Sequence, residues 1–264
     1  MSRVRRYAPP LVVLLLVLAA WYAVSYLGLS PERRFLLPPP DEVLRVGLLD
    51  PDNLAPLLDG LALSAEVAMI GLVLAFVLGV AAAVAMSQAR WVERSLYPYA
   101  VVLQTIPILA LVPLFGFWFG FGLPSRILVC VLIALFPLIA NTLHGLRSAE
   151  RVHHDLFTLY GAGRLTRLWK LQLPGALPSI FTGLRVSAGL SVVGAVVGDF
   201  FFKQGEPGIG MLIDLYRANL QSEQMFAAVL LASGFGVLVF WAFGLLARRV
   251  AGSWHESVAD SPDR

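Results

Sequence analysis

The chain has 264 residues, of which 58% are hydrophobic and only 14% charged, whereas a soluble domain averages about 45–50% and 25%. That surplus of apolar surface excludes a soluble globular protein and makes lipid the solvent. The net charge of +3 reports membrane topology, with no basic stripe for nucleic acid.

Six segments reach the roughly 20 residues needed to cross about 30 Å of hydrocarbon. They are Pro10–Leu29, Leu61–Met86, Leu96–Phe119, Arg126–Leu146, Ile180–Phe202 and Met225–Ala247. Continuous apolar runs without alternation imply helices, since every backbone polar group must be satisfied inside lipid. The expected fold is therefore an all-α membrane bundle of six transmembrane helices, one domain over residues 1–264.

The first span follows Arg3, Arg5 and Arg6 but is longer than a signal-peptide core, and Trp21, Tyr22 and Tyr26 follow it. It reads as an uncleaved span with an aromatic belt. Basic residues concentrate in alternate loops: Arg90, Arg94, Arg147, Arg151, Arg164, Arg167, Lys170, Arg248 and Arg249, with Arg185 at a span entrance. By the positive-inside rule both termini are cytoplasmic. The acids Asp41, Glu42, Asp50, Asp52 and Asp59 then lie outside. There, Pro38-Pro39-Pro40 followed by Asp41-Glu42 reads as a stop and a helix start, leading into a short amphipathic helix at the outer interface.

Inside the bundle, Pro107, Pro113 and Pro137 should bend or open the third and fourth helices. Cys130 lies within the fourth span, so a chain with this single cysteine forms no internal disulfide. The fifth span carries Ser187, Gly189, Ser191, Gly194 and Gly198. Such a small-residue face either lets helices approach closely or lines a path that opens and closes.

The most informative stretch runs from Asp155 to Arg185, from within the basic loop at residues 147–179 into the fifth span. Asp155 is suited to cap a helix bearing Leu156, Leu159 and Tyr160 on one face, and Gly161 with Gly163 permits a sharp turn. From Arg164 a second helix sets Leu165, Leu168 and Trp169 against Arg164, Arg167 and Lys170, and Leu173-Pro174 should end it. Taken alone, such an element could lie on anionic lipid or fit a protein groove.

The glycine-alanine pair Gly161-Ala162, then Leu173-Pro174, Pro178 and Gly183-Leu184-Arg185 resemble the signature loop of inner-membrane permeases of ATP-binding-cassette importers. The family pattern is Glu-Ala-Ala, three residues, Gly, then Leu-Pro; here Asp155, Leu156 and Phe157 stand at the first three positions. Phe35 to Leu44 further resembles the outer segment of the subgroup importing nitrate, sulfonates, taurine or thiamine precursors. The resemblance implies a type I importer permease in the inner (plasma) membrane, whose loop couples it to cytoplasmic ATPase subunits through Asp155, Gly161, Ala162, Arg164, Leu173, Pro174 and Gly183. It further implies an extracytoplasmic binding protein and a second permease copy, as a homodimer for a single chain with a full loop. ATP and Mg would be bound by the partner ATPase, since this chain lacks a GxxxxGK[ST] phosphate loop. No cofactor is expected on the chain itself.

Ionisable groups within spans are functional candidates. Glu66, Arg126 and Asp199 all fall toward the outer leaflet, where Arg126 could pair with either acid and shape a vestibule. With Ser187, Ser191, Gly194 and Gly198 they are the candidate translocation path. Gln104, Asn141 and His144 are placed to bond between helices. His153-His154 point in different directions on a helix and make no metal site. An intramembrane enzyme would need a nucleophile and base at one depth, and Ser191 and His144 are mismatched. An ion-coupled secondary transporter would need midplane coupling-ion sites, and the acids are few and shallow.

Overall fold

The computed structural model describes residues 3–251, with side chains from 9 to 249. The side chains of Arg3, Arg5 and Arg6, which carry part of the orientation signal, lie outside the described residues. The described residues are helical with no strand. Helix α1 (Arg3–Ala23) is the peripheral one. Leu11 through Val17 are all more than half exposed, and α1 meets the bundle at its outer end, where Trp21 donates from Nε1 to the Pro38 carbonyl at 3.0 Å and tilts against Phe226.

The outer segment folds back onto the bundle. Short helix α2 (Pro40–Glu42) runs into a π-helical turn, Val43–Leu48. Val43 is fully buried in a cluster with Leu57, Ile209 and Ala227. The amphipathic helix expected at the lipid interface is thus docked on protein. Its Gly47 lies so close to Ala227 that a β-carbon there would collide.

Helix α3 (Pro51–Gln88) begins ten residues before the expected span. Asp50 caps it, its side chain accepting from the Asp52 N–H at 3.1 Å, and Pro51 occupies the first turn, where a missing N–H costs nothing. Next come α4 (Arg90–Thr105) and α5 (Ile108–Phe119), bent by 101° at Ile106-Pro107. The expected third span is therefore a broken pair, as Pro107 demands: Ile106 is forced extended, with ψ 128°. Pro113 and Pro137 stay inside α5 and α6 (Leu123–Arg147).

Beyond α6 lies α7 (Arg151–Leu159). It starts at Glu150, whose carbonyl accepts from His153 N–H at 3.1 Å. Asp155 therefore sits mid-helix and is not the expected cap. Helix α8 (Arg164–Arg167) passes through a π turn, Leu168–Gln172, into α9 (Leu173–Phe201) without a break. Leu173-Pro174 was expected to stop this helix. Instead Leu173 N–H reaches back five residues to the Leu168 carbonyl. That wider turn makes room for the proline ring, so the rod runs from Arg164 to Phe201, 38 residues, or about 57 Å. Helix α10 (Ile209–Ala218) caps the outer end, and α11 (Ser222–Ala251) returns to the inner side.

At the centre α6 is clasped between α3 and α9, and small residues set the spacing. A β-carbon at Gly79 of α3 would lie 2.9 Å from Leu138 Cβ; at Gly183 of α9, 3.0 Å from the Pro137 carbonyl; at Gly194, 2.8 Å from Cys130 Cα; at Gly198, 3.1 Å from Arg126 Cα. In lipid this close approach replaces the hydrophobic drive between helices with van der Waals contact. Gly194→Ala should therefore cost about 1–3 kcal/mol by overpacking and lower the thermal midpoint in detergent. Gly234→Ala, where a β-carbon meets open space, should leave the midpoint equal or higher.

Candidate functional site

Two sites emerge at opposite ends of the rod. At the outer end, Arg126 near the start of α6 is 1% exposed and Asp199 near the end of α9 is fully buried. Arg126 Nη1 stands 3.3 Å from Asp199 Oδ1. The pairing raised from depth alone is therefore with Asp199, and neither group snorkels to water. Glu66 is exposed and lines an outer cavity of about 600 Å³ with Asp59, Glu206 and Pro207, and its carboxylate is not the one paired with Arg126.

Arg126 also donates to three backbone carbonyls of one loop: Nε to Phe202 at 2.9 Å, Nη2 to Gln204 at 3.1 Å and Nη1 to Glu206 at 3.1 Å. One side chain thus fastens the whole connection between α9 and α10. Asp199 is held from the other side. Ser64 of α3 contacts its carboxylate, and the same hydroxyl oxygen accepts from Ile209 N–H at 2.8 Å. Gly210 admits the acid, since a β-carbon there would lie 2.9 Å from Asp199 Cβ. Asp199 therefore sits at the N-terminal end of α10, where the helix dipole favours an anion.

These contacts join α3, α6, α9 and α10 in a single buried polar knot. Sequence reading reached Arg126 and Asp199 but missed Ser64 and the loop carbonyls. A serine inside an apolar run resembles any small packing residue, and carbonyls carry no sequence signal. Ser187 and Ser191 are buried in the α6–α9 contact, with Ser187 Oγ donating to the Ala134 carbonyl at 2.7 Å. Gly194 and Gly198 likewise pack closely against α6, at Cys130 and Arg126. Asn141 bonds within its own helix, to the Pro137 carbonyl at 2.8 Å, instead of across helices. Gln104 lines a small cavity with Pro137 and Leu190, and His144 is exposed.

At the cytoplasmic end, the turn after α7 is built as expected around Gly161, at φ +66°. Ala162 N–H donates to the Phe157 carbonyl at 2.9 Å and Gly161 N–H to that of Thr158 at 3.0 Å, the paired bonds of a Schellman termination. Arg167 then braces the turn, giving Nε to the Ala162 carbonyl at 3.2 Å and Nη2 to Thr158 Oγ1 at 3.0 Å. Its basic side chain is structural, a role that charge patterning did not reveal. Arg164 is exposed and lines a small polar recess with Arg167, His154 and Gln88. Leu173 and Pro174 are half-buried within the rod, and Gly183 is buried against α6. The apolar residues Leu156, Leu159, Tyr160, Leu165 and Trp169 face outward, Leu159 at 85% and Tyr160 at 83% exposure.

Outside the spans, Asp214 of α10 pairs with Lys203 and Arg217. Bonds from Lys203 and then Arg217 hold its carboxyl below the usual carboxylate range. A depressed pKa contributes stability above the ordinary value of about 3.9, lost as pH falls through the lower folded value. Asp214→Asn should thus lower the thermal midpoint by the same small amount across neutral pH, with the gap closing in acid. Breaking the buried pair is a larger effect: Arg126→Met should cost about 3–5 kcal/mol by stranding Asp199, measured as thermal unfolding. Exchanging the charges as Arg126→Glu with Asp199→Arg should not restore stability, because a carboxylate cannot donate to the three carbonyls.

Comparison with known proteins accords with this architecture. Residues 75–252 match the family described as binding-protein-dependent transport system inner membrane component. The chain is similar to a probable ABC transporter permease of Haemophilus influenzae, 32% identical over 92% of this chain and 97% of the relative. It is similar to the taurine transport system permease of Escherichia coli, 30% identical over 93% and 89%. It also matches a formylaminopyrimidine transport permease of Halalkalibacterium halodurans, 38% identical over 66% and 68%. The matched region begins within α3, after Ser64, and takes in Arg126 and Asp199, the turn at Gly161, α6, α9 and α11. The chain belongs to the binding-protein-dependent inner-membrane permeases and is a multi-pass, non-enzymatic permease subunit of an ATP-binding-cassette importer.

Proposed function

We propose that this permease carries a small solute, delivered by an extracytoplasmic binding protein, through a path formed with a second copy of itself. Residues 155–185 transmit the work of a cytoplasmic ATPase. The observation that carries the reading is the outward-facing apolar set at Leu156, Leu159, Tyr160 and Trp169. It is mounted on a Schellman turn braced by Arg167 and continuous with the α9 rod. Apolar side chains at the cytoplasmic end, beyond the spans, are suited to a protein groove. ATP and Mg belong to the ATPase partner. Asp155, Gly161, Ala162 and Arg164 form or flank the docking face, while Leu173, Pro174 and Gly183 tie it to the rod.

In this reading the Arg126–Asp199 knot closes the outer end of the path, and the cavity holding Glu66 is its vestibule. Ser187, Ser191, Gly194 and Gly198 become accessible when α9 shifts against α6. The relatives' named solutes, taurine and formylaminopyrimidine, are small and polar, and a solute of that size is the substrate class we assign.

Gly161→Val tests the loop. A β-branched residue at positive φ costs roughly 1–2 kcal/mol and should melt the turn, abolishing uptake while membrane insertion and thermal stability of the bundle persist. Leu159→Asp should lower co-purification of the ATPase by about tenfold or more, as for a buried interface anchor. Wild-type uptake in Gly161→Val, or ATP hydrolysis by the purified chain alone, would overturn the assignment.

A further inference from the structure

At the cytoplasmic end of the α9–α11 pair, Arg185 lies across α11 in an arrangement that neither site above uses. Its guanidinium carbon stands 4.0 Å from the centroid of the Phe240 ring. A β-carbon at Gly244 would meet its Nε at 3.0 Å and Cζ at 3.2 Å, so the glycine is what admits the arginine. Nε is buried and has no hydrogen-bond partner among the described residues. Beside it opens a recess of about 150 Å³ lined by Arg185, Trp241, Gly244, Leu245 and Arg248. Two arginines thus line one recess, with no carboxylate among the described residues that line it.

Depth identifies the surroundings. Arg248 lies 23 residues after Met225, where the sixth apolar span begins, which is about 35 Å along the axis against a hydrocarbon core of about 30 Å. The apolar run ends at Ala247, followed by Arg248 and Arg249. Trp241 is 67% exposed, an amphipathic ring at the level where aromatic belts form. The recess therefore sits at the headgroup level of the leaflet that charge asymmetry makes cytoplasmic. A buried donor without an acceptor is costly, and the chemistry that completes two guanidiniums is an oxyanion, which takes their N–H groups as charge-assisted bonds.

We infer that the Arg185–Arg248 recess binds the headgroup phosphate of an anionic phospholipid in the cytoplasmic leaflet. The acyl chains then run along the apolar groove between α9 and α11, lined by Val193, Val197, Val237 and Trp241. A lipid seated there braces α11 against α9 just above the docking loop. A free phosphate would satisfy the same arginines but would leave that groove to bulk lipid.

The test uses the full chain in nanodiscs of phosphatidylcholine with and without phosphatidylglycerol, followed by native mass spectrometry of retained lipid. Wild-type protein should retain phosphatidylglycerol in preference to phosphatidylcholine and unfold at a higher temperature when it is present. Arg248→Gln, at the exposed rim where folding is not at stake, should weaken retention roughly fivefold, the contribution of one basic residue near an anionic surface. Arg185→Gln should weaken it further, and inorganic phosphate should shift neither retention nor unfolding. Equal retention of the two lipids, unchanged retention in Arg248→Gln, or full stabilisation by inorganic phosphate would each overturn the inference.

Discussion

The close contact of α6 with α9 is the constraint on which the other features rest. Glycine at 183, 194 and 198 lets the two backbones approach so closely that a β-carbon would collide at 183 and 194 and be crowded at 198. That approach puts Arg126 beside Asp199 at one end of the contact and aligns Gly183 with Pro137 toward the other. A bundle in lipid gains little from burying apolar side chains, so shape complementarity and a few polar bonds decide its arrangement. The outer knot supplies those bonds. Its net stabilisation is modest, because desolvating two charges offsets most of their attraction. Its specificity is high, because Arg126 matches three carbonyls that exist together only in this loop conformation.

Continuity is the second consequence. Because a π turn absorbs Pro174, the element that leaves the cytoplasmic turn is the same element that carries Asp199. In the proposed reading, a displacement at Gly161 is carried along this one helix to the polar knot at its far end. The broken helix at Ile106-Pro107 and the loosely attached α1 stand outside this line and leave the core free to move within them.

Much of this was readable from residues alone, and the exceptions have physical causes. Membrane class, the turn at Gly161, the break at Pro107 and the partnership of Arg126 with an outer acid follow from composition, periodicity and depth. Of the six expected spans, five described helices qualify alone, and the bent α4–α5 pair makes the sixth only if counted as one. The reading failed at Leu173-Pro174, because the π turn before it makes room for the proline ring and the helix continues. It failed at Asp155 because the helix begins one turn earlier, on the Glu150 carbonyl. The small-residue face of α9 was ambiguous in principle: Ser187 and Gly194 look the same in sequence whether they line a path or meet α6. Ser64 was invisible, since its partner lies 135 positions away.

The central claim is that the segment from Arg164 to Phe201 moves as one rod linking the ATPase side to the outer knot. The direct measurement is pulsed electron-electron resonance on the assembled importer in a Cys130→Ala background. One label pair is Thr166→Cys with Phe201→Cys along the rod; the other is Gln204→Cys with Leu123→Cys across the knot. The account predicts that ATP binding leaves the first distance unchanged and alters the second. A change in the first distance with the second fixed, meaning that the rod bends at the π turn while the knot stays closed, would contradict it.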